Sequence, residues 1–339
     1  MNYKEKQKEK QIGLIKESAI FNGDKAGGKY RKNSYPHILL DGKNNLFPRI
    51  VDDVLAYFQK NSISWWGGNK PTGNVLSSQI ACLNHLFLIR NNQDDVLKIA
   101  QKICPDFESV MQITSDEFFP AYIAFEAVSD NDYLNECKEG QKPTRGNNCT
   151  SIDALIYAKH KDGKNYILPI EWKYTEHYYN TDKSIEDSDK KSENHKKDDE
   201  AKGKERLDRY CYNKKGRLID NSDQLKSLPD YKSSVYFFEP FYQLMRQTLW
   251  AEQMIAYKEK ERIKADKFIH VHVIPQENQT LLKEEGRYKY KSGKDMKTTW
   301  SECLSDQGKY KIVSPKELLA NIDLSKYADL KNYLGKRYW

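Results

Sequence analysis

Ser151-Ile-Asp-Ala-Leu-Ile-Tyr-Ala158, Lys161-Asp-Gly-Lys164 and Tyr166-Ile-Leu-Pro-Ile-Glu-Trp-Lys-Tyr174 form the stretch that decides the fold. Two apolar runs flank an Asp-Gly pair, whose turn positions tolerate positive φ, so the spacing predicts a β-hairpin of antiparallel strands. Side chains alternate along a strand. Glu171 and Lys173 therefore share a face, and Trp172 takes the other. Asp153 lies on the strand paired through the hairpin, which lets two carboxylates and an ammonium converge. Each stands among apolar neighbours such as Ile152, Ala154, Ile170 and Trp172. Charges occur in such places when they are paired or bind metal.

Outward from the hairpin, Tyr122-Ile-Ala-Phe-Glu-Ala-Val128 reads as a preceding strand, and residues 129–150 as a polar loop. Upstream, Ile50, Val51, Val54, Leu55 and Phe58 recur at helical spacing. A second helix begins at the capping residues Ser77-Ser78, and a third covers 95–103, ending before Pro105. The first thirty residues read as a frayed basic helix and a Gly-rich turn. Downstream, Phe241 to Met254 is an amphipathic helix and Phe268 to Ile274 a strand. Residues 182–206 carry eight basic and nine acidic side chains, a solvated insertion.

With 339 residues, the chain can bury a sizeable core. A mean hydropathy of −0.88 and the lack of a long apolar run exclude a membrane span, and the N-terminus does not resemble a signal peptide. A cytoplasmic protein is expected. The six cysteines are widely and irregularly spaced, which excludes a paired zinc framework and points to free thiols. The net charge is +7, with +5 in residues 1–32 and +5 in 281–339 around a centre of −3. Basic ends around such a centre suit a polyanion partner.

Two converging carboxylates suit Mg²⁺, a hard cation with oxygen ligands, and Mn²⁺ is expected to substitute. Such a metal polarises a phosphodiester, and Lys173 can orient water and offset developing charge. The tripeptide alone is weak evidence in a lysine-rich chain. Glu-x-Lys also occurs at Glu136 and Glu200, and only the copy at Glu171 lies in an apolar strand.

Asp153 followed by Glu171-Trp-Lys173, on adjacent strands after a helix, resembles the PD-(D/E)xK nuclease superfamily. Arg145-Gly-Asn-Asn-Cys-Thr-Ser-Ile-Asp153, Ile170-Glu-Trp-Lys-Tyr-Thr-Glu176, Ser77-Ser-Gln79 and Gln243-Leu-Met-Arg246 are similar to an uncharacterised bacterial branch of it. The resemblance covers roughly residues 75–275. Ile152 stands where the family pattern has proline.

The resemblance implies an α/β, restriction-endonuclease-like fold, with a mixed central sheet flanked by helices. A helical N-terminal segment (1–110) would pack on a nuclease core (111–278, with the charged insertion 182–206), followed by a basic C-terminal extension (279–339). It implies Asp153 and Glu171 as metal ligands and Lys173 as the catalytic lysine. Glu126 is a further acid for metal or catalysis, the alternative being a salt bridge to Arg145. Gln79, Gln243 and Arg246 are candidate substrate contacts; Gln243 and Arg246 share a helix face and could equally bond to the core. Glu176 and His177 lie just past the strand end.

The expected activity is Mg²⁺-dependent endonucleolytic cleavage of DNA, preferred over RNA, in restriction or defence. A homodimer would supply two sites for a duplex. The alternative is an inactive nuclease-fold protein that binds nucleic acid or serves as a subunit of a defence complex. Gly23 to Lys29 nearly matches a P-loop, but Tyr30 stands where a hydroxyl should bind Mg²⁺. His270 and His272 lack a third ligand nearby and read as surface or buried neutral imidazoles. Tyr288-Lys-Tyr-Lys291 reads as a strand with alternating tyrosines and lysines.

Overall fold

A computed structural model of the chain describes residues 1–17, 19–66, 68–113, 120–138, 140–146, 149–178, 181–185, 202–212, 217–284 and 289–339. Most of the charged insertion, together with Arg287 and Tyr288, lies outside the described residues. The chain opens with α1 (Tyr3–Glu17), then a small hairpin of β1 (Lys29–Tyr30) and β2 (Asn33–Ser34). Helices α2 (Val51–Lys60), α3 (Ser78–Leu86) and α4 (Gln93–Ile103) follow. Strands β3 (Phe107–Val110), β4 (Ile123–Ala127), β5 (Ile152–His160) and β6 (Asn165–Trp172) come next. After α5 (Lys202–Leu207) and α6 (Phe241–Ala256) come β7 (Lys267–Phe268) and β8 (His270–Val273). The last elements are α7 (Lys289–Ser292), α8 (Met296–Glu302), β9 (Tyr310–Val313), α9 (Pro315–Leu318) and α10 (Ala328–Arg337).

One mixed sheet organises the molecule. The expected hairpin joins β5 and β6 antiparallel, with Ala154 opposite Ile170. β3 and β4 pair with successive halves of β5. On the other side, β7 and β8 run parallel to β6, and β9 runs parallel to β8. Parallel neighbours need a long crossover, and the chain between β6 and β7 supplies it, α6 included. Ile156, Leu168, Ile170 and Trp172 enter one core with α2, α3, α4 and α10. Leu155, Tyr157 and Ile167 enter the other with α6 and α8. No helix among the described residues is long and apolar enough to cross a membrane.

Local chemistry explains the helix starts. The Ser77 hydroxyl accepts from the Ile80 N–H at 3.4 Å, and the Asn92 side chain accepts from the Asp95 N–H at 3.1 Å. α1 is not frayed: Tyr3, Gln11 and Ile15 are buried. The Gln11 amide donates to the Tyr174 hydroxyl at 3.0 Å and to the Arg337 carbonyl at 2.7 Å. The basic C-terminal segment contributes β9 to the sheet and α10 to the first core. Residues 289–292 form a helical turn rather than the expected strand. Gly293, at φ +70°, turns the chain directly into α8, so the segment reaches no ladder.

Candidate active site

β4, β5 and β6 set three acids side by side. Phe125 pairs with Ala154 and Ala127 with Ile152, so Glu126 faces Asp153 across the β4–β5 ladder. Ala154 pairs with Ile170, so Asp153 faces Glu171 across the next. All three carboxylates raise the pKa of one buried thiol, Cys82 on α3, after the larger effect of burial itself.

Glu126 has φ +49°, a conformation that a non-glycine residue in a strand adopts only when its surroundings compel it. Arg145 does so. Its guanidinium donates to the carbonyls of Phe125 (2.8 Å) and Glu126 (3.0 Å) and to the Tyr57 hydroxyl (3.0 Å). The Glu126 carboxylate accepts instead from Gln79 Nε2 at 2.6 Å and from Ser151 Oγ at 2.8 Å. Gly146, at φ +73°, lets the Arg145 loop close over it; a Cβ there would lie 2.7 Å from the Ser64 carbonyl oxygen.

Glu171 and Lys173 are 3 % and 4 % exposed. Charges so buried must be paired. The Lys173 ammonium binds Glu171 Oε1 directly and donates to Gln243 Oε1 at 2.6 Å. Gln243 also accepts from the Tyr178 hydroxyl at 3.1 Å. Glu171 Oε2 takes the amide of Gln247, whose Oε1 accepts from His270 Nε2 at 2.8 Å. One oxygen of Asp153, a partly exposed residue, takes the Trp172 N–H at 2.7 Å.

Burial first, then the two neighbouring carboxylates, raises the pKa of Asp153 well above its usual value. Burial, opposed by the Gln79 and Ser151 bonds and reinforced by Glu171, raises that of Glu126. For Lys173, burial disfavours the charged form, but Glu171, Tyr178, Glu176 and Asp153 outweigh it and its pKa is raised. Burial and mutual repulsion thus resist full ionisation of the acids beside a single ammonium, and a bound cation would favour their charged forms.

The acids line a cleft of about 1190 Å³ shared by Trp66, Lys138, His177, Arg206, Arg209 and Arg246, among others. Of the sequence candidates, Gln79 and Gln243 reach the acids and the lysine directly. Arg246 lines the cleft, but its Nε donates to Glu136 Oε1 at 2.8 Å. That oxygen also accepts from the Tyr210 hydroxyl at 2.6 Å. His177 lines the cleft, and Glu176 Oε2 accepts the Tyr174 N–H at 2.5 Å. His270 and His272 are buried, and burial holds both imidazoles neutral.

Sequence reasoning missed Gln247 and Glu136. Gln247 lies four residues beyond Gln243, on the same face of α6, a spacing that could have flagged it. Glu136 belongs to one of the Glu-x-Lys copies outside the apolar strands, and nothing local marks its distant pairing with Arg246.

Donor chemistry fits a hard divalent cation: three carboxyl side chains line the cleft beside one ammonium, and the raised pKa values of Asp153 and Glu126 mark a repulsion that a cation would relieve. A mixed sheet flanked by helices, with its acids on adjacent strands, defines a restriction-endonuclease-like protein. The chain belongs to the family described as restriction endonuclease associating with ARP, which it matches over residues 15–339. No curated protein and no solved structure matches the chain.

Proposed function

We propose that the chain is a metal-dependent nuclease that hydrolyses phosphodiester bonds, with DNA as substrate and defence as its setting. The observation that carries this reading is the meeting of Glu126, Asp153, Glu171 and Lys173 at one cleft floor. Asp153 and Glu171, with Glu126 beside them, would hold Mg²⁺ or Mn²⁺. When bound, such an ion polarises the scissile phosphate and lowers the pKa of coordinated water.

The remaining work falls to the chain. Lys173 stays protonated, donates to incoming water or phosphate, and offsets the charge that builds as the bond breaks. Gln243 and Gln247 fix Lys173 and Glu171, so neither must reorganise on substrate arrival. Arg206 and Arg209 give the cleft wall positive charge for the phosphate backbone. The family description names an associating partner, ARP, and we take such a partner to join this chain in its defence role.

Supercoiled plasmid incubated with pure protein and Mg²⁺ tests the proposal. Nicked and linear products are expected with Mg²⁺ and none with EDTA. Asp153→Asn and Lys173→Met should reduce cleavage below detection. Cleavage by either pure variant at the wild-type rate overturns the assignment. Binding without cleavage by the wild type selects the inactive, nucleic-acid-binding alternative.

A further inference from the structure

A second group of metal-ligating side chains lies at the far end of β5. His160 is seven residues from Asp153, roughly 23 Å along the strand at about 3.3 Å per residue. Cys104 caps the end of α4, donating its N–H to the Ala100 carbonyl. Asp106 follows two residues later, and Phe107 pairs with His160 in the β3–β5 ladder. The ladder thus brings Cys104, Asp106 and His160 together, with one ligand atom from each within 4.8 Å of the others.

The distances fit coordination. Cys104 Sγ lies 3.8 Å from His160 Nε2. Around a tetrahedral zinc ion, bonds of about 2.3 Å to sulfur and about 2.05 Å to nitrogen separate those atoms by about 3.6 Å. The imidazole is also held in place: Phe107 meets its ring edge-on with centroids 5.4 Å apart, and Tyr166 packs at 4.9 Å. On its other side, His160 Nδ1 is 3.1 Å from Asp162 Oδ1, the outer carboxylate that commonly orients a metal-bound histidine.

We propose that Cys104, Asp106 and His160 bind one zinc-class divalent cation, independently of the cleft. Thiolate and imidazole select borderline metals over Mg²⁺, so the two sites take different ions. One thiolate and one carboxylate neutralise the dication. Asp106 is exposed and leaves the fourth position to water. Its existing partner, Lys161 Nζ at 3.2 Å, is exposed as well and yields readily.

Without the ion, the Asp162 N–H donates to His160 Nδ1 at 3.1 Å, which puts the imidazole proton on Nε2. Loading moves that proton to Nδ1, where the Asp162 carboxylate accepts it, and releases the Cys104 thiol proton to solvent. One proton therefore leaves per ion bound. The ion pins the α4–β3 junction to the β5–β6 hairpin.

The test is a Co²⁺ titration of the full, reduced chain in excess Mg²⁺, which occupies oxygen-ligand sites. A sulfur-to-cobalt charge-transfer band should grow to one equivalent and vanish on adding Zn²⁺. Cys104→Ser should abolish it, and His160→Gln and Asp106→Asn should weaken binding at least tenfold. Cys149→Ser, which removes a cleft-lining thiol, and Glu171→Gln should leave it unchanged. Zn²⁺ at about 100 times Kd should raise the unfolding midpoint of the wild type by several degrees and that of Cys104→Ser not at all. Absence of the band in the wild type overturns the proposal, as does its survival in Cys104→Ser or an unchanged affinity in His160→Gln.

Discussion

Replacing Gln247 by leucine breaks two bonds with little change in shape. Glu171 loses the amide that holds Oε2, and His270 Nε2 loses its acceptor at 2.8 Å. Gln247, Glu171 and His270 are all at most 3 % exposed, so water does not replace the lost partners. Each buried orphan costs about 1–3 kcal/mol, giving a total of about 2–6 kcal/mol. At about 1.4 °C per kcal/mol for 339 residues, the unfolding midpoint should fall by about 3–8 °C. Loss of an outer hydrogen bond to a metal ligand typically weakens metal affinity 10–100-fold, about 1.4–2.7 kcal/mol. Isothermal titration with Mn²⁺ reads the second effect and thermal unfolding the first. Gln247→Glu separates the two bonds, because it still accepts from His270 but cannot donate to Glu171. If Gln247→Leu shifts neither midpoint nor affinity, the relay from His270 to Glu171 does not hold the site.

Gly146→Ala forces a Cβ toward the Ser64 carbonyl at positive φ and should cost about 2–3 kcal/mol in urea unfolding. Gly140→Ala, at φ +77° with nothing within 4 Å, should cost about 1 kcal/mol. Arg246→Ala takes the cation from the Glu136 carboxylate, which keeps its bonds from Tyr210 and Thr150, and should destabilise the chain by about 1.5–3 kcal/mol in the same assay; Arg246→Ala with Glu136→Gln should recover part of that loss. Burial lowers the pKa of His85 from 6.5 to about 3. Between those values the unfolded chain binds a proton that the native chain refuses, so stability falls as pH drops below about 6.5 and continues to fall to about 3. From pH 7 to pH 5 that amounts to about 2 kcal/mol at 1.36 kcal/mol per unit. His85→Gln should shrink the difference in unfolding free energy between those two pH values by this amount.

The hairpin of β5 and β6 was legible because Asp162-Gly163 and the apolar runs around it carry their own local instructions. Helices α3 and α6 were legible for the same reason, through the caps of one and the periodicity of the other. The register of the β5–β6 hairpin alone set Asp153 opposite Glu171. Strands β3 and β9 were not legible. Each is four residues long and is defined by a distant partner, β5 for one and β8 for the other. The twist at Glu126 is set by Arg145, 19 residues away, and leaves no trace in Tyr122 to Val128. The partners of Arg246 and Gln247 were hidden for the same reason: each pairing joins residues more than 20 positions apart. α1 looked frayed because its buried face is small and is secured by Gln11, a polar residue that no apolar pattern records.

Arg337 is fully buried near the end of α10 and donates to Asn45, Tyr333 and Gln11, while Asn84 donates to Tyr338. A ribosome making this chain releases Asn45 long before it makes Arg337. At about 5–20 residues per second, the early helices wait roughly 15–60 s for their guanidinium plug. During synthesis the first core is open at that seam, and β8 lacks the neighbour that β9 later provides. Until α10 docks, Asn45 and Gln11 lack the guanidinium that ties the N-terminal helices to the rest of the first core.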